Sequence, residues 1–544
     1  MRVLLIGAAG VFGSRLAEGL ARSGFDLILA GRSRPRAEAL AVHLRAAWPQ
    51  ARIDSLSLDV AQVTPHMLKT AGAELVVDAT GPFQGAEPVV ARAAVAAGLH
   101  YVDLADARDF VSCFNALDAA ARDAGVVALT GASSTPALSH AVLDAMTAGW
   151  THIDRVEAAI SPGARAPRGP SVVAAVLHWF GRPVRVFEDG GWREQPGWGR
   201  VVHRDFGAAG RRPVSLSETP DLDLMVARFA PTSGAVFMAG IQPAPLHWAA
   251  WATARLVAAT GLDAHPHSAL LSRLSGMGVR WGDDRGAMRV EATGVDADGR
   301  AKRAVWVLVA PPGVGPCTPG LPALATIKRI AAGGIAPGAR ACTGELVLTE
   351  IEDELAVVGI ETTMTVEPVA LFPRAIGSAF DVLPAPIRDL HEAVGVSVWR
   401  GRARIDGAAG PMAALVARVV GFPTAGGTAV EVEIQADGQR SVWRRRFGRH
   451  RFLSILSNAR EGGRVTERFG PLSFDLILTV RDGWLHYDVE RWRMGALPLP
   501  RFLMPGTVTH EQIDAEGRFA FDVEISAPLV GRLVRYRGWL EREG

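Results

Sequence analysis

"LLIGAAGVFGSRLAEGLA" (residues 4–21) carries the reading of this chain, because an apolar run ends at Gly7, glycines recur at 10 and 13, and helical periodicity follows. A strand that turns at once into a helix leaves unpaired backbone N–H groups and the positive end of the helix dipole at one spot, which suits a pyrophosphate. In that reading Gly7 permits the tight turn, Gly10 lets phosphates approach and Gly13 lets helix pack on strand, with Ala9, Val11 and Phe12 in the same turn. The spacing is G-x-x-G-x-x-G rather than the commoner G-x-G-x-x-G, and glycines also serve ordinary turns. The turn alone does not establish a nucleotide site.

Its surroundings add to it. The next apolar run ends in "LAGRSRPR", where an NAD-specific domain carries an acid for the ribose hydroxyls; here stand Arg32, Ser33, Arg34 and Arg36. A 2′-phosphate is matched by cations and hydroxyl donors, so NADP(H) is the expected cofactor. The alternative is a solvated arginine cluster opening a helix, an arrangement the helix dipole disfavours. Asp59 and Val60, ending the third apolar run, stand where an adenine edge could be met.

The first 130 residues alternate short apolar runs, "RVLLIG", "FDLILAG", "RIDSLSLDV", "ELVVDATG", "HYVDLAD" and "GVVALTG", with helical segments. This implies a Rossmann-like, doubly wound parallel sheet over 1–130. From 131 to 364 the rhythm lengthens around strand candidates such as "GAMRVEATGVDADGRAKRAVWVLVA", with a hairpin turn at Asp298-Gly299. An α+β domain with an antiparallel sheet, for substrate binding or dimerisation, is expected there. "TVEPVALFPRAIG" (365–377) reads as a connection. Beyond 370 alternation is strict: Val430, Val432 and Ile434 share a face, and Asp437-Gly438 and Asp482-Gly483 supply turns. A mainly antiparallel β domain, meander or barrel-like, is expected over 370–544. Its Arg444, Arg445, Arg446, Arg449 and Arg451 read as a solvated face or as a site for an acidic ligand.

Length, charge and cysteine usage bound the function. A chain of 544 residues exceeds one ordinary core, and a net charge of +2 without a basic, aromatic-interleaved tract gives no reason to expect nucleic acid as a partner. Cys113, Cys317 and Cys342 lie far apart without metal-ligand spacing, so neither a metal site nor a disulfide framework is expected, and a reducing cytoplasm is. The stretch "APLHWAAWATARLVAATGL" (244–262) approaches bilayer length but holds His247 and Arg255. It reads as a buried or interfacial helix, which leaves peripheral membrane contact open, as the second domain does a homodimer.

"DATGPFQGAEPVVARAAVAAGLHYVDLAD" (78–106) resembles the segment of saccharopine-dehydrogenase-like oxidoreductases in which a V-G-P-F/Y loop follows the fourth strand and a Y-x-D pair ends the fifth. "PGVGPCTPGLPALATIKRIAAGGIAPGARACTGELVLTEI" (311–351) is similar to the end of that family's second domain. The resemblance covers about residues 1–360 and implies an NADP-dependent oxidoreductase. It places Thr80, Gly81, Pro82 and Phe83 along the nicotinamide side of the cofactor, and Tyr101 and Asp103 near the substrate. Residues from about 370 to 544 resemble a bacterial domain of unknown function, which supplies no chemistry.

Tyrosine occurs only at 101, 487 and 536 and lysine only at 69, 302 and 328. Ala105 stands four residues after Tyr101, so the Tyr-x-x-x-Lys pair of short-chain dehydrogenases is absent. The remaining candidates near the strand ends are Tyr101, Asp103, Asp106, Ser133, Ser134 and His140. Asp103 could orient a group or accept a proton, and Tyr101 or His140 could donate one; each could equally serve packing or capping. Ser134 is counted with the cofactor contacts. Where amino-acid-handling members of the family show L-D-P-G-x-D-H, this chain reads "GASSTPALSH", with no acid from 131 to 140. The expected reaction is hydride transfer from NADPH to a C=O, C=N or conjugated C=C bond of a moderately apolar, lipid-like substrate. A non-enzymatic NADP sensor, or a lipid-binding protein with a vestigial reductase half, is the alternative.

Overall fold

The computed structural model describes residues 1–167, 177–261, 282–460 and 462–543. Its chain divides into two compact units, one of Met1–Ala148, Ile153–Ala292 and Ala304–Thr365, the other of Gly149–His152, Thr293–Arg303 and Val366–Gly544.

The first unit opens with β1 (Arg2–Ile6), α1 (Val11–Arg22), β2 (Asp26–Gly31), α2 (Arg34–Ala47), β3 (Ile53–Ser57), β4 (Leu75–Asp78), β5 (His100–Asp103) and β6 (Val127–Thr130). All strands of this sheet are parallel, in the order 3-2-1-4-5-6 from one edge, which is the doubly wound arrangement. Both faces are covered, which explains the near-continuous apolar strands. Val3, Leu5, Leu27 and Leu29 pack into one core, and Leu4, Ile6, Ile28 and Ala30 into the other. A seventh strand, β7 (Gly338–Ala341), pairs with β6 and arrives from late in the chain. The helix Gly320–Ala331 comes with it and lays Leu324 against α1 at Gly19. Apart from Gly149–His152 and Thr293–Arg303, the sections 1–130 and 131–364 read from the sequence fall within one compact unit.

The expected antiparallel sheet of the second section is mixed. Its strands run Val201–Asp205, Arg211–Leu216, Gly234–Ala239, Trp150–Ser161, Gly286–Asp296, Ala301–Ala310 and Glu361–Pro368 in spatial order. Gly234–Ala239 lies parallel to Trp150–Ser161, because the long intervening chain returns by a crossover rather than a hairpin. Asp298-Gly299 makes the turn between the two long strands as expected, with Gly299 at φ +77°.

The second unit is a closed antiparallel barrel. All strands of its eleven-stranded sheet except the two-residue Leu497–Pro498 form a ring, closed by the pairing of Leu472–Arg481 with Trp484–Met494. Val430, Val432 and Ile434 all point into the core, as their alternation requires. Arg444 and Arg446 face outward and meet Glu433 and Glu431. Arg445, between them, turns inward over Trp443 and donates to the Ser454 hydroxyl at 2.6 Å. The "connection" at 365–377 is a strand end and a helix, Leu371–Ile376, whose Leu371, Phe372 and Ala375 share the barrel core. Periodicity missed it because a six-residue helix spans under two turns. A second helix, Ala385–Glu392, brings His391 to 2.6 Å from the Glu511 carboxylate, which also accepts from the Tyr487 hydroxyl.

Since every strand of the ring lies between 395 and 542, an expressed fragment 366–544 should show a β-dominated circular dichroism spectrum and a cooperative melt. A helical or unfolded spectrum would place the boundary elsewhere.

Candidate functional site: the glycine turn and the strand ends

Helix α1 starts from Gly10, whose backbone is extended, with no side chain capping it and no acid in its first turn. The N–H groups of Gly7 and Ala8 go to the Ala30 carbonyl, and that of Gly10 to the Gly7 carbonyl. Those of Val11, Phe12 and Gly13 are the ones a helix leaves without an acceptor of its own. Gly7 lies at φ +81°, and a Cβ there would meet the Ala79 carbonyl oxygen at 2.6 Å. At Gly13 it would stand 2.3 Å from the Gly7 carbonyl oxygen. At Gly10, by contrast, its one neighbour within 4 Å among the described residues would be that same oxygen, at 3.0 Å. The three glycines thus differ: Gly7 and Gly13 are held by close backbone contacts, and Gly10 is exposed with the Gly7 carbonyl oxygen at 3.0 Å from a Cβ placed there. Ala9, Val11 and Phe12 are half-buried around it.

Arg36 donates to the Ala9 carbonyl at 3.5 Å, so the cationic cluster lies beside the glycine turn. Arg32, Ser33 and Arg34 are exposed, and Ser33 stands at the N-cap of α2 without capping it. Asp59 caps its own turn by accepting from the Ala61 N–H at 3.2 Å, and Val60 beside it is half-buried. Thr80 follows Ala79 at the turn and bonds the Asp78 carboxylate through N–H and hydroxyl, at 3.0 and 2.6 Å. Gly81 is half-buried, Pro82 exposed, and Phe83 buried edge-on against Phe110 with ring centroids 5.1 Å apart.

Tyr101 and Asp103 are fully buried on β5. One Asp103 oxygen accepts from the Ala105 N–H, the Thr130 hydroxyl and the Gly131 N–H at 2.9, 2.9 and 2.7 Å, tying the loops after β5 and β6 together; the other has no well-formed hydrogen bond among the described residues. Burial, with Asp78 paired opposite on β4, pushes the Asp103 carboxyl up to about 7 against the effect of its three donors. The Tyr101 ring stacks on Phe114, and its hydroxyl makes no hydrogen bond of good geometry. Burial first, then the Asp103 charge, hold that hydroxyl protonated.

His140 lies on α3 (Ser139–Met146), fully buried, with its Nε2 3.6 Å from Asp221 at the start of α4 (Asp221–Phe229). Burial pushes the His140 imidazole down to about 3 and the Asp221 carboxyl up to about 7. A neutral, sequestered imidazole is a poor proton donor at neutral pH. Ser134 and Thr135 are buried beside it in the turn after β6. Asp221 thus sets a carboxyl beside the acid-free turn 131–140 from another part of the chain. Sequence reading also missed Arg108. Its buried guanidinium meets Asp223, lies 3.3 Å from Glu218 and donates to the Arg185 carbonyl at 2.8 Å. The run "SETPDLD" (217–223) before a helical period was the available signal.

Residues 3–129 match the family described as the saccharopine dehydrogenase NADP binding domain, and residues 383–540 match a domain of unknown function, DUF4166. The N-terminal segment is therefore a saccharopine-dehydrogenase-type NADP-binding domain, which supports an NADP-dependent oxidoreductase in general terms. No curated protein sequence matches the chain. Similar solved structures include saccharopine dehydrogenase (L-Glu forming) from Saccharomyces cerevisiae, at 14% identity and a TM-score of 0.49, over 67% of this chain and 99% of that one. A short-chain dehydrogenase from Sphingobium yanoikuyae in complex with NADPH matches at 19% identity and 0.20, over 24% of this chain and 69% of that one. At such identities and scores the likeness carries nothing about substrate.

Two outcomes follow from the site. Gly13→Ala should cost about 1–3 kcal/mol of stability by overpacking, whereas Gly10→Val should keep a native circular dichroism spectrum and lose NADPH in a fluorescence titration. Retained affinity in Gly10→Val would assign the glycines to the turn alone. Separately, the Asp221 carboxyl holds its proton more tightly folded (about 7) than unfolded (3.8), so its contribution to stability is present at low pH and lost as pH rises through 7. Wild type should therefore lose melting temperature relative to Asp221→Asn between about pH 5 and pH 8; parallel curves would contradict it.

Proposed function

We propose that this protein is an NADPH-dependent reductase of a C=O, C=N or conjugated C=C bond in a moderately apolar substrate. The observation that carries the cofactor half is the uncapped, acid-free start of α1 behind an exposed glycine, beside a cluster of arginines. The backbone N–H groups of Val11, Phe12 and Gly13 hold the pyrophosphate, and Arg32 with Ser33 meets the 2′-phosphate. Bound NADPH supplies the hydride. Thr80, Gly81 and Pro82 border its nicotinamide side, and the second carboxyl oxygen of Asp103 holds or returns a proton, its pKa near neutrality suiting either direction. Tyr101 is a positioning residue beneath it.

The polarity of the substrate is supported by the state of the acids. Asp103 and Asp221 are fully buried with raised pKa values, so neither presents a free carboxylate to an ammonium group. The same burial of Tyr101, Asp103 and His140 favours a second reading, in which the domain binds NADP without turnover.

Arg32→Ala should weaken NADPH binding by roughly ten- to a hundredfold, the worth of one phosphate contact, and leave NADH binding unchanged. Equal affinity for both cofactors in wild type would overturn the NADP assignment. A screen of NADPH oxidation against ketones, enoyl compounds and amino-acid-derived imines decides the rest: turnover abolished by Asp103→Asn supports the reductase, strong imine turnover defeats the polarity claim, and none with any substrate favours the sensor.

A further inference from the structure

The two ends of the barrel differ in chemistry. Followed strand by strand, one end carries the connections 407–425, 448–449, 470–471, 495–505 and 528–530. None of the five contains an aspartate or glutamate, while Arg418, Arg449 and Arg501 lie in them. The hairpins of the opposite end mix both signs, with Asp437, Asp482, Asp514 and Glu516 beside Arg440 and Arg518.

The acid-free end also gathers exposed apolar side chains. Met412 and Leu415 project from the helix Pro411–Val420, Leu497, Phe502 and Leu503 from the longest hairpin loop, and Leu529 from the last turn. Phe502 is 75% exposed and Leu529 fully so, which a barrel that had only to fold would have no use for. The loop is held by its own bonds: Trp492 Nε1 donates to the Pro500 carbonyl at 3.0 Å, and the Leu499 and Leu503 N–H groups to the Trp492 and Pro500 carbonyls. A depression of about 700 Å³ opens at the same end, lined by Arg404 and Arg532 with Asp406 and the backbone of Gly407, Gly426 and Gly427.

We propose that this end of the barrel docks on a bilayer surface that contains anionic phospholipid. Its apolar tips enter the boundary between headgroups and acyl chains, and Arg418, Arg449 and Arg501 meet the phosphates. A second copy of the chain is a poor occupant, since a two-fold contact sets Arg418, Arg449 and Arg501 against their own copies with no acid in the five connections, and the nearby Asp406 is already paired with Arg404 and Arg537.

The test is sedimentation of the full chain with vesicles of phosphatidylcholine alone and of phosphatidylcholine with about one third phosphatidylglycerol. Binding to the anionic vesicles, weakened by salt, is expected. The doubles Leu497→Asp/Phe502→Asp and Arg418→Glu/Arg501→Glu should each weaken it about tenfold or more, with circular dichroism and NADPH binding unchanged, and Glu516→Gln should bind as wild type does. No preference for anionic vesicles, or binding that both doubles retain, would overturn the proposal. So would a dimer in light scattering that the doubles dissolve, because the face would then belong to a second copy.

Discussion

A β-carbon at position 13 would stand 2.3 Å from the Gly7 carbonyl oxygen, and one at position 7 would stand 2.6 Å from that of Ala79. Helix α1 can therefore begin directly above β1, and β1 can lie against the loop after β4, only because both residues lack side chains. This close approach aims the open N–H groups of α1 along the carboxyl edge of the sheet, where Thr80 also lies. The helix dipole and the absence of a competing acid in the first turn act there together, with Arg36 reaching the Ala9 carbonyl beside them.

The strand ends beyond that point are held by buried charge. Asp103 joins two loops through three donors on one oxygen, and Arg108 ties the loop after β5 to Glu218 and Asp223. Burial of such groups is costly unless they are paired. Asp103 and Asp221 meet the cost by holding protons to near neutrality, and His140 by giving its proton up. The junction is consequently polar inside without exposing charge.

The barrel solves a different problem. Ring closure removes every long sheet edge, and the helices at 371–376 and 385–392 supply side chains that complete its core. Once closed, its strands order the nine connections into two sets by chain direction alone. Asp-Gly turns fall at one end, and the longer, apolar, arginine-bearing connections at the other.

Local pattern was enough for much of this. The six parallel strands, the close backbone approach at Gly7 and Gly13, and the inward face of Val430, Val432 and Ile434 are written in period and spacing over a few residues each. Tertiary structure alone decided what depends on distant partners. It brought β7 to the edge of the first sheet, turned Arg445 inward among arginines that face out, and seated the 371–376 helix in the barrel. It also set Asp221 against His140, 81 residues away in the chain, placing a carboxyl beside a turn that has none. The physical reason is that hydrophobic period and backbone propensity act within a turn or a strand, whereas pairing, burial and the pKa values that burial sets are properties of neighbours that only the completed fold assigns.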